Sequence, residues 1–144
     1  MQNWQQNIVN TEARVREILT SYRKIAVVGM TDVGYKPSYY VPKYMMDRGY
    51  EVYPVNPRYN EIEGMVCYPD LKSIPVEVEI VDLFRRSEDV LPHAEEALLT
   101  KPKVFWMQSG IINMEAAEVL AKAGIEVVMD RCLYADHAAF FGRG

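Results

Sequence analysis

Five short apolar runs constrain this chain more than anything else in it. They read KIAVVG (residues 24–29), EVYPVN (51–56), EIVDLF (79–84), KVFWMQ (103–108) and EVVMD (126–130). Rich in Val, Ile and aromatics, several are apolar at consecutive positions rather than alternate ones, the pattern of strands buried on both faces of a parallel sheet. Helical spacing separates most of them. One helix is predicted over 38–48, stopped by Gly49, and another over 88–99 with Ser87 as N-cap. A third is predicted over 114–123 between Asn113 and Gly124. A further helix over 10–22 precedes the first strand, capped by Asn10 or Thr11. The stretch 57–78 breaks the alternation. It carries four of the prolines and glycines (Pro57, Gly64, Pro69, Pro75), so it reads as a long irregular crossover with one short strand and one helical turn near 71–74. Alternating strands and helices with right-handed crossovers make a doubly wound α/β sheet of about five mainly parallel strands, with helices on both faces and an expected order 3-2-1-4-5. A length of 144 residues suits a single domain (1–144), with 1–23 as a helical segment packed on it.

Composition narrows the partners. The net charge is −4 and the largest basic cluster is the pair Arg85–Arg86, so a nucleic-acid surface is not expected. No apolar run approaches the ~20 residues of a membrane helix. The first residues lack the layout of a secretory signal, and there are two cysteines, Cys67 and Cys132, so a reducing, cytoplasmic setting is expected.

In doubly wound sheets, ligands bind beyond the C-terminal ends of the strands. After the first strand, GMTDVGYKPS (29–38) has the makings of a phosphate loop. Gly29 permits close backbone approach, the N–H groups of Met30 to Asp32 could form an anion nest, Lys36 adds charge, and Pro37–Ser38 starts a helix. It matches neither common motif. Thr31 stands where the dinucleotide fingerprint needs glycine, and Tyr35 displaces Lys36 from the Walker register. A plain structural turn is the competing reading.

After the second strand, Asn56–Pro57 either lines a site or makes an Asx turn, and no carboxylate awaits a ribose there. After the third, one of Arg85 and Arg86 should face the crevice; Arg85 is the choice, being nearer the sheet. After the fourth, Gln108 offers an amide and Gly110 a tight turn. At the fifth strand's end, Arg131 beside Cys132 could favour a thiolate, though a buried inert thiol fits equally. His93 and His137 complete no triad, and no metal-ligand spacing occurs, so neither catalytic nor metal residues are assigned.

Taken in order, KIAVVGMTD, KPSYYVPKYM, GYEVYPVNP, GMVCYPDLKSIP, VDLFRRSE, WMQSGI and IEVVMDRC resemble the CoA-binding domain family. Its small stand-alone proteins are similar to the N-terminal domain of the succinyl-CoA synthetase alpha subunit. The likeness runs from about Lys24 to His137. It implies a Rossmann-like fold with coenzyme A or acyl-CoA at the strand C-termini. By matching motif, Gly29, Met30, Thr31 and Lys36 would hold phosphates, and Asn56 and Pro57 would line the pocket. Phe84 and Arg85 would meet the adenosine, and Gln108 with Gly110 would form the far wall. Cys132 matches the family's DRC cysteine and suggests a mixed disulfide with CoA. Nothing resembles the synthetase's second domain or an ATP-grasp domain, so the resemblance implies a CoA-binding module without catalysis of its own. A thiol-redox protein acting through Cys132 and a degenerate NAD(P)-linked oxidoreductase are the alternatives. A homo-oligomer or a partner acyl-CoA enzyme would fit exposed aromatics such as Tyr39, Tyr40, Phe140 and Phe141, which packing explains as well.

Overall fold

The computed structural model describes residues 3–142. A 3-10 turn at Trp4–Asn7 and helix α1 (Glu12–Ser21) lead into β1 (Lys24–Val28), α2 (Pro37–Asp47) and β2 (Glu51–Val55). The crossover that follows holds a small hairpin, β3 (Glu61–Ile62) and β4 (Met65–Val66), and a 3-10 turn at Leu71–Ser73. Regular alternation then resumes with β5 (Ile80–Leu83), α3 (Val90–Thr100), β6 (Val104–Met107), α4 (Met114–Lys122), β7 (Glu126–Val128) and α5 (Leu133–Phe141).

The five long strands form one parallel sheet in the order β2-β1-β5-β6-β7, giving the Rossmann-like α/β fold expected from the sequence. The order itself differs: counted among long strands it is 2-1-3-4-5, not 3-2-1-4-5. Pro54 supplies the physical reason. Its carbonyl faces away from β1 and accepts from Tyr68 N–H (2.9 Å), so its nitrogen, which carries no hydrogen, lies on that same outer side. A further long strand there would meet a missing donor, at a cost of about 1–3 kcal/mol for the unpaired acceptor. The chain instead pairs with this edge at the isolated Val55–Tyr68 bridge, and β5 pairs on the other side of β1. The opposite edge is covered likewise: Val9 N–H donates to Val127 O (2.8 Å), and Ile8 bridges Val127.

Strand alternation divides the core. Ile25, Val27, Ile80, Val104, Trp106 and Val128 face α1, α2 and α5, meeting Ile18, Leu19, Met45 and Leu133. Ala26, Val28, Val81, Leu83, Phe105, Met107 and Val127 face α3 and α4, meeting Val90, Ala94, Ala97 and Leu120. Thr11 and Asn113 cap α1 and α4, accepting from Arg14 N–H (3.2 Å) and Ala116 N–H (2.9 Å). Ser87 does not cap α3. A 3-10 turn, Ser87–Asp89, intervenes, and the Ser87 hydroxyl instead bridges Gly110 O (3.4 Å) and Ile112 N–H (3.0 Å). Helix α5 was not expected: Leu133–Phe141 is apolar on most sides, so it shows no helical stripe.

Where β1 ends, Gly29 takes φ +89° and donates its N–H to Val55 O (2.7 Å). A Cβ here would lie 2.4 Å from the carbonyl oxygen of Phe84, which belongs to the backbone and cannot swing aside. Gly29→Ala should therefore lose about 2–4 kcal/mol of unfolding free energy, from backbone strain plus the clash. Urea denaturation checks this, and a loss below about 0.5 kcal/mol would show that the β1–β5 junction is not tight.

Candidate ligand-binding crevice

The winding of the sheet reverses between β1 and β5, and a crevice opens there beyond the strand ends. One cavity of about 590 Å³ is lined by Thr31, Lys36, Asn56, Pro57, Arg58, Arg85 and His93, among others. A second, of about 470 Å³, is lined by Gly29, Pro37, Phe84 and Ile111 and shares Thr31, Lys36 and Arg85 with the first.

Proline shapes the loop after β1. Pro42 lies inside α2 and has no N–H, so the carbonyl four residues earlier, that of Ser38, loses its helical donor. Thr31 N–H fills that role (3.3 Å), and the Thr31 and Ser38 hydroxyls share a second hydrogen bond (2.9 Å). The loop is thereby pinned to the first turn of α2. The expected anion nest is altered in consequence, because the Thr31 N–H is already engaged. Helix α2 starts at Pro37, and Ser38 serves this clamp rather than capping the helix. Met30 is buried in the core, and its carbonyl accepts from Asn56 Nδ2 (3.0 Å). Asn56 is itself buried, and its Oδ1 accepts from Arg58 N–H (3.0 Å), the Asx turn of the alternative reading. Asn56 thus ties the loops after β1 and β2 together while lining the crevice.

Charge sits on three elements. Lys36 precedes α2, Arg58 follows β2 and Arg85 follows β5, and among the described residues none of them enters an ion pair. Burial, then repulsion from Arg58, lowers the pKa of Arg85, with Asp89 opposing. Neighbouring Arg86 is exposed, pairs with Asp89 (3.1 Å) and Glu88 (3.5 Å) and lines the second cavity alone, whereas Arg85 lines both. Two basic lining residues escaped the sequence reading. Arg58 followed an apparent turn, and His93 lay within a helix with no partner motif.

The far side is arranged differently from expectation. Gln108 is buried, and its Nε2 donates to Asp82 Oδ1 (2.6 Å). Gly110 N–H donates to Asp130 Oδ1 (2.6 Å). Neither lines the two cavities, where Ile111 stands instead. Cys132 also lies outside them, as the residue before α5. Burial pushes its thiol pKa up, although the N–H groups of Tyr134 and Ala135 partly offset this. Arg131 is committed to Asp136 through two bonds (2.7 and 2.8 Å), which removes the cation expected to favour a thiolate. Both cysteines are free. Among the described residues, no group of three or more His, Cys, Asp and Glu could hold a metal ion, and no helix is long and apolar enough to cross a membrane.

Asp82 is the most unusual group in the sheet. It lies fully buried in β5, between Val27 and Trp106, and its Oδ2 has no hydrogen-bond partner. Burial pushes its pKa up to about 8, against the bonds from Gln108 and the Leu83 backbone. A charged residue within a strand buried on both faces was the visible sign of it.

The family described as CoA binding domain matches residues 23–138 of this chain. An uncharacterized protein of Bacillus subtilis, YneT, is 43% identical over 128 residues, covering 89% of this chain and 95% of YneT. A solved structure of a hypothetical protein from Pyrococcus horikoshii superposes with a TM-score of 0.89 at 39% identity, covering 92% of this chain and 94% of that one. An acetate–CoA ligase (ADP-forming) I of Archaeoglobus fulgidus is 28% identical over 120 residues, which is 76% of this chain but only 17% of the ligase.

The buried acid has a measurable consequence. The folded state holds Asp82 protonated up to about pH 8, whereas an unfolded aspartate ionises near 3.8, so the folded state binds the extra proton between these values. Stability contributed by this site is therefore lost as pH rises through that window. Asp82→Asn should gain on the wild type by up to about 1.4 kcal/mol per pH unit across it, whatever the constant offset of the substitution. Denaturation at several pH values reads the slope, and parallel profiles would contradict a buried neutral acid.

Proposed function

This chain belongs to the CoA-binding domain family, and from that premise we propose that the crevice binds coenzyme A or an acyl-CoA and acts as a holding module rather than a catalyst. One observation carries the reading: Lys36, Arg58 and Arg85, drawn from three separate elements and without ion-pair partners among the described residues, converge on one cavity whose acidic lining residue, Asp89, is paired with Arg86 instead. Bringing like charges together is unfavourable unless an anion offsets it, and a ligand with several phosphates does so. The neighbouring cavity, with Pro37, Phe84 and Ile111 on its walls, suits the adenine ring. Both volumes lie within the usual range of about 300–1,000 Å³ for small-molecule sites.

Arg58 bears on which nucleotide is held. NAD sites place a carboxylate at the end of the second strand to receive ribose hydroxyls. Here Asn56 is engaged with Met30 and the Arg58 backbone, and the next charged side chain is a cation. That favours a ribose bearing a phosphate, as CoA has, over a free ribose.

Alanine at Lys36, Arg58 or Arg85 should weaken CoA binding by roughly 5- to 150-fold each, the worth of one charge-assisted hydrogen bond of about 1–3 kcal/mol. Affinity should fall as salt rises, and dephospho-CoA should lose most of the effect of Arg58→Ala. Titration calorimetry on the intact protein tests this. The proposal fails if the wild type binds no CoA, or if all three variants bind it unchanged.

A further inference from the structure

We propose that His93 is a fourth phosphate-binding group of the crevice, and that its imidazole takes up a proton as the anionic ligand enters. This rests on the phosphate-binding reading above. His93 projects from the first turns of α3 into the same cavity as Lys36, Arg58 and Arg85. It is half-buried, and among the described residues its ring makes no hydrogen bond. A half-buried imidazole with no partner, facing an open cavity, has a donor ready for a ligand oxygen.

The surrounding charges decide its state. Burial and then Arg85 lower the His93 pKa, while Asp89, ahead of α3, raises it. From the end of β2, Arg58 and Tyr59 line the same cavity, and Lys36 faces it from before α2. The turn at Leu71–Ser73 packs on α3, and its neighbourhood is already balanced: Glu96 accepts from Leu71 N–H (3.0 Å) and Lys72 N–H (3.3 Å), and Asp70 caps Ser73 (2.9 Å). Without ligand, His93 is thus a neutral group in a positive crevice. A phosphate there reverses the sign of the local field and offers an acceptor, both of which favour imidazolium. Lys36, Arg58 and Arg85 are already charged, so His93 is the group whose charge follows occupancy.

The sign follows directly. Because the ligand raises the His93 pKa, the extra affinity is complete below the free-protein pKa and is lost as pH rises through the bound-state pKa. Dephospho-CoA is the suitable probe, since its pyrophosphate diester has no phosphate that titrates near neutrality. In calorimetry on the full chain, using two buffers of different ionisation enthalpy, the wild type should take up protons on binding and His93→Gln should not. Wild-type affinity should rise by about three- to sixfold from about pH 8 to about pH 6 for a one-unit rise in pKa on binding, and stay flat in the variant. The imidazole C–H resonances of wild-type His93 should also move toward the imidazolium position on ligand addition near pH 7, a readout independent of how the variant folds. Binding without proton uptake, or uptake that persists in His93→Gln, overturns this inference alone. Failure of the wild type to bind either CoA or dephospho-CoA overturns the proposed function and this inference with it.

Discussion

The carbonyl of Phe84 leaves no room for a side chain at Gly29, and much of the molecule's working end depends on that closeness. With β1 and β5 paired in register and their ends almost in contact, the chains leaving them must part at once. The β1 exit turns toward α2 on one face, and the β5 exit turns toward α3 on the other. The gap between them is the crevice. A positive φ at Gly29 makes the departure sharp, and its N–H still bonds β2. Glycine here serves the joint between strands, whatever it also allows a ligand to approach.

Around that joint, neutral polar groups bond to one another and leave the cations free. Pro42 releases the Ser38 carbonyl and Thr31 takes it; Asn56 holds both Met30 and Arg58 by their backbones; Ser87 links the start of α3 to the loop after β6. Each bond is worth only about 1 kcal/mol net, but together they fix four loops in one arrangement. Some cations elsewhere find opposite partners, as Arg14 does with Glu126 and Arg131 with Asp136. Among the described residues, Lys36, Arg58 and Arg85 do not. Repulsion between Arg58 and Arg85 is then sustained by a scaffold whose stability comes from the apolar layers beneath.

Much of this was legible in the sequence, and the misses have identifiable causes. Each long strand was found from its apolar run, since burial on both faces leaves a local mark. Strand order was misjudged although Pro54 bore on it, because an edge is defined by what is absent beside a strand. Arg85, the expected choice of the two arginines, lines both cavities, whereas Arg86 lines the second and pairs with Asp89. Gln108, expected at the ligand, was bound to Asp82 from the neighbouring strand, and position in sequence shows nothing of a partner 26 residues away. Arg58 and His93 were passed over because each lies on an ordinary turn or helix, and only their convergence sets them apart.

By itself, then, the sequence determined the five long strands, most of the helices between them and the parallel sheet they form. These follow from periodicity, glycine and proline placement, and burial, all of which act over a few residues. Tertiary structure alone decided which strand is the edge, which polar side chains are consumed in holding loops and which cations are left unpaired. Hydrogen bonding and charge depend on distance through space, and pairs such as Lys36 with Arg85 or Asp82 with Gln108 meet only when the sheet has formed.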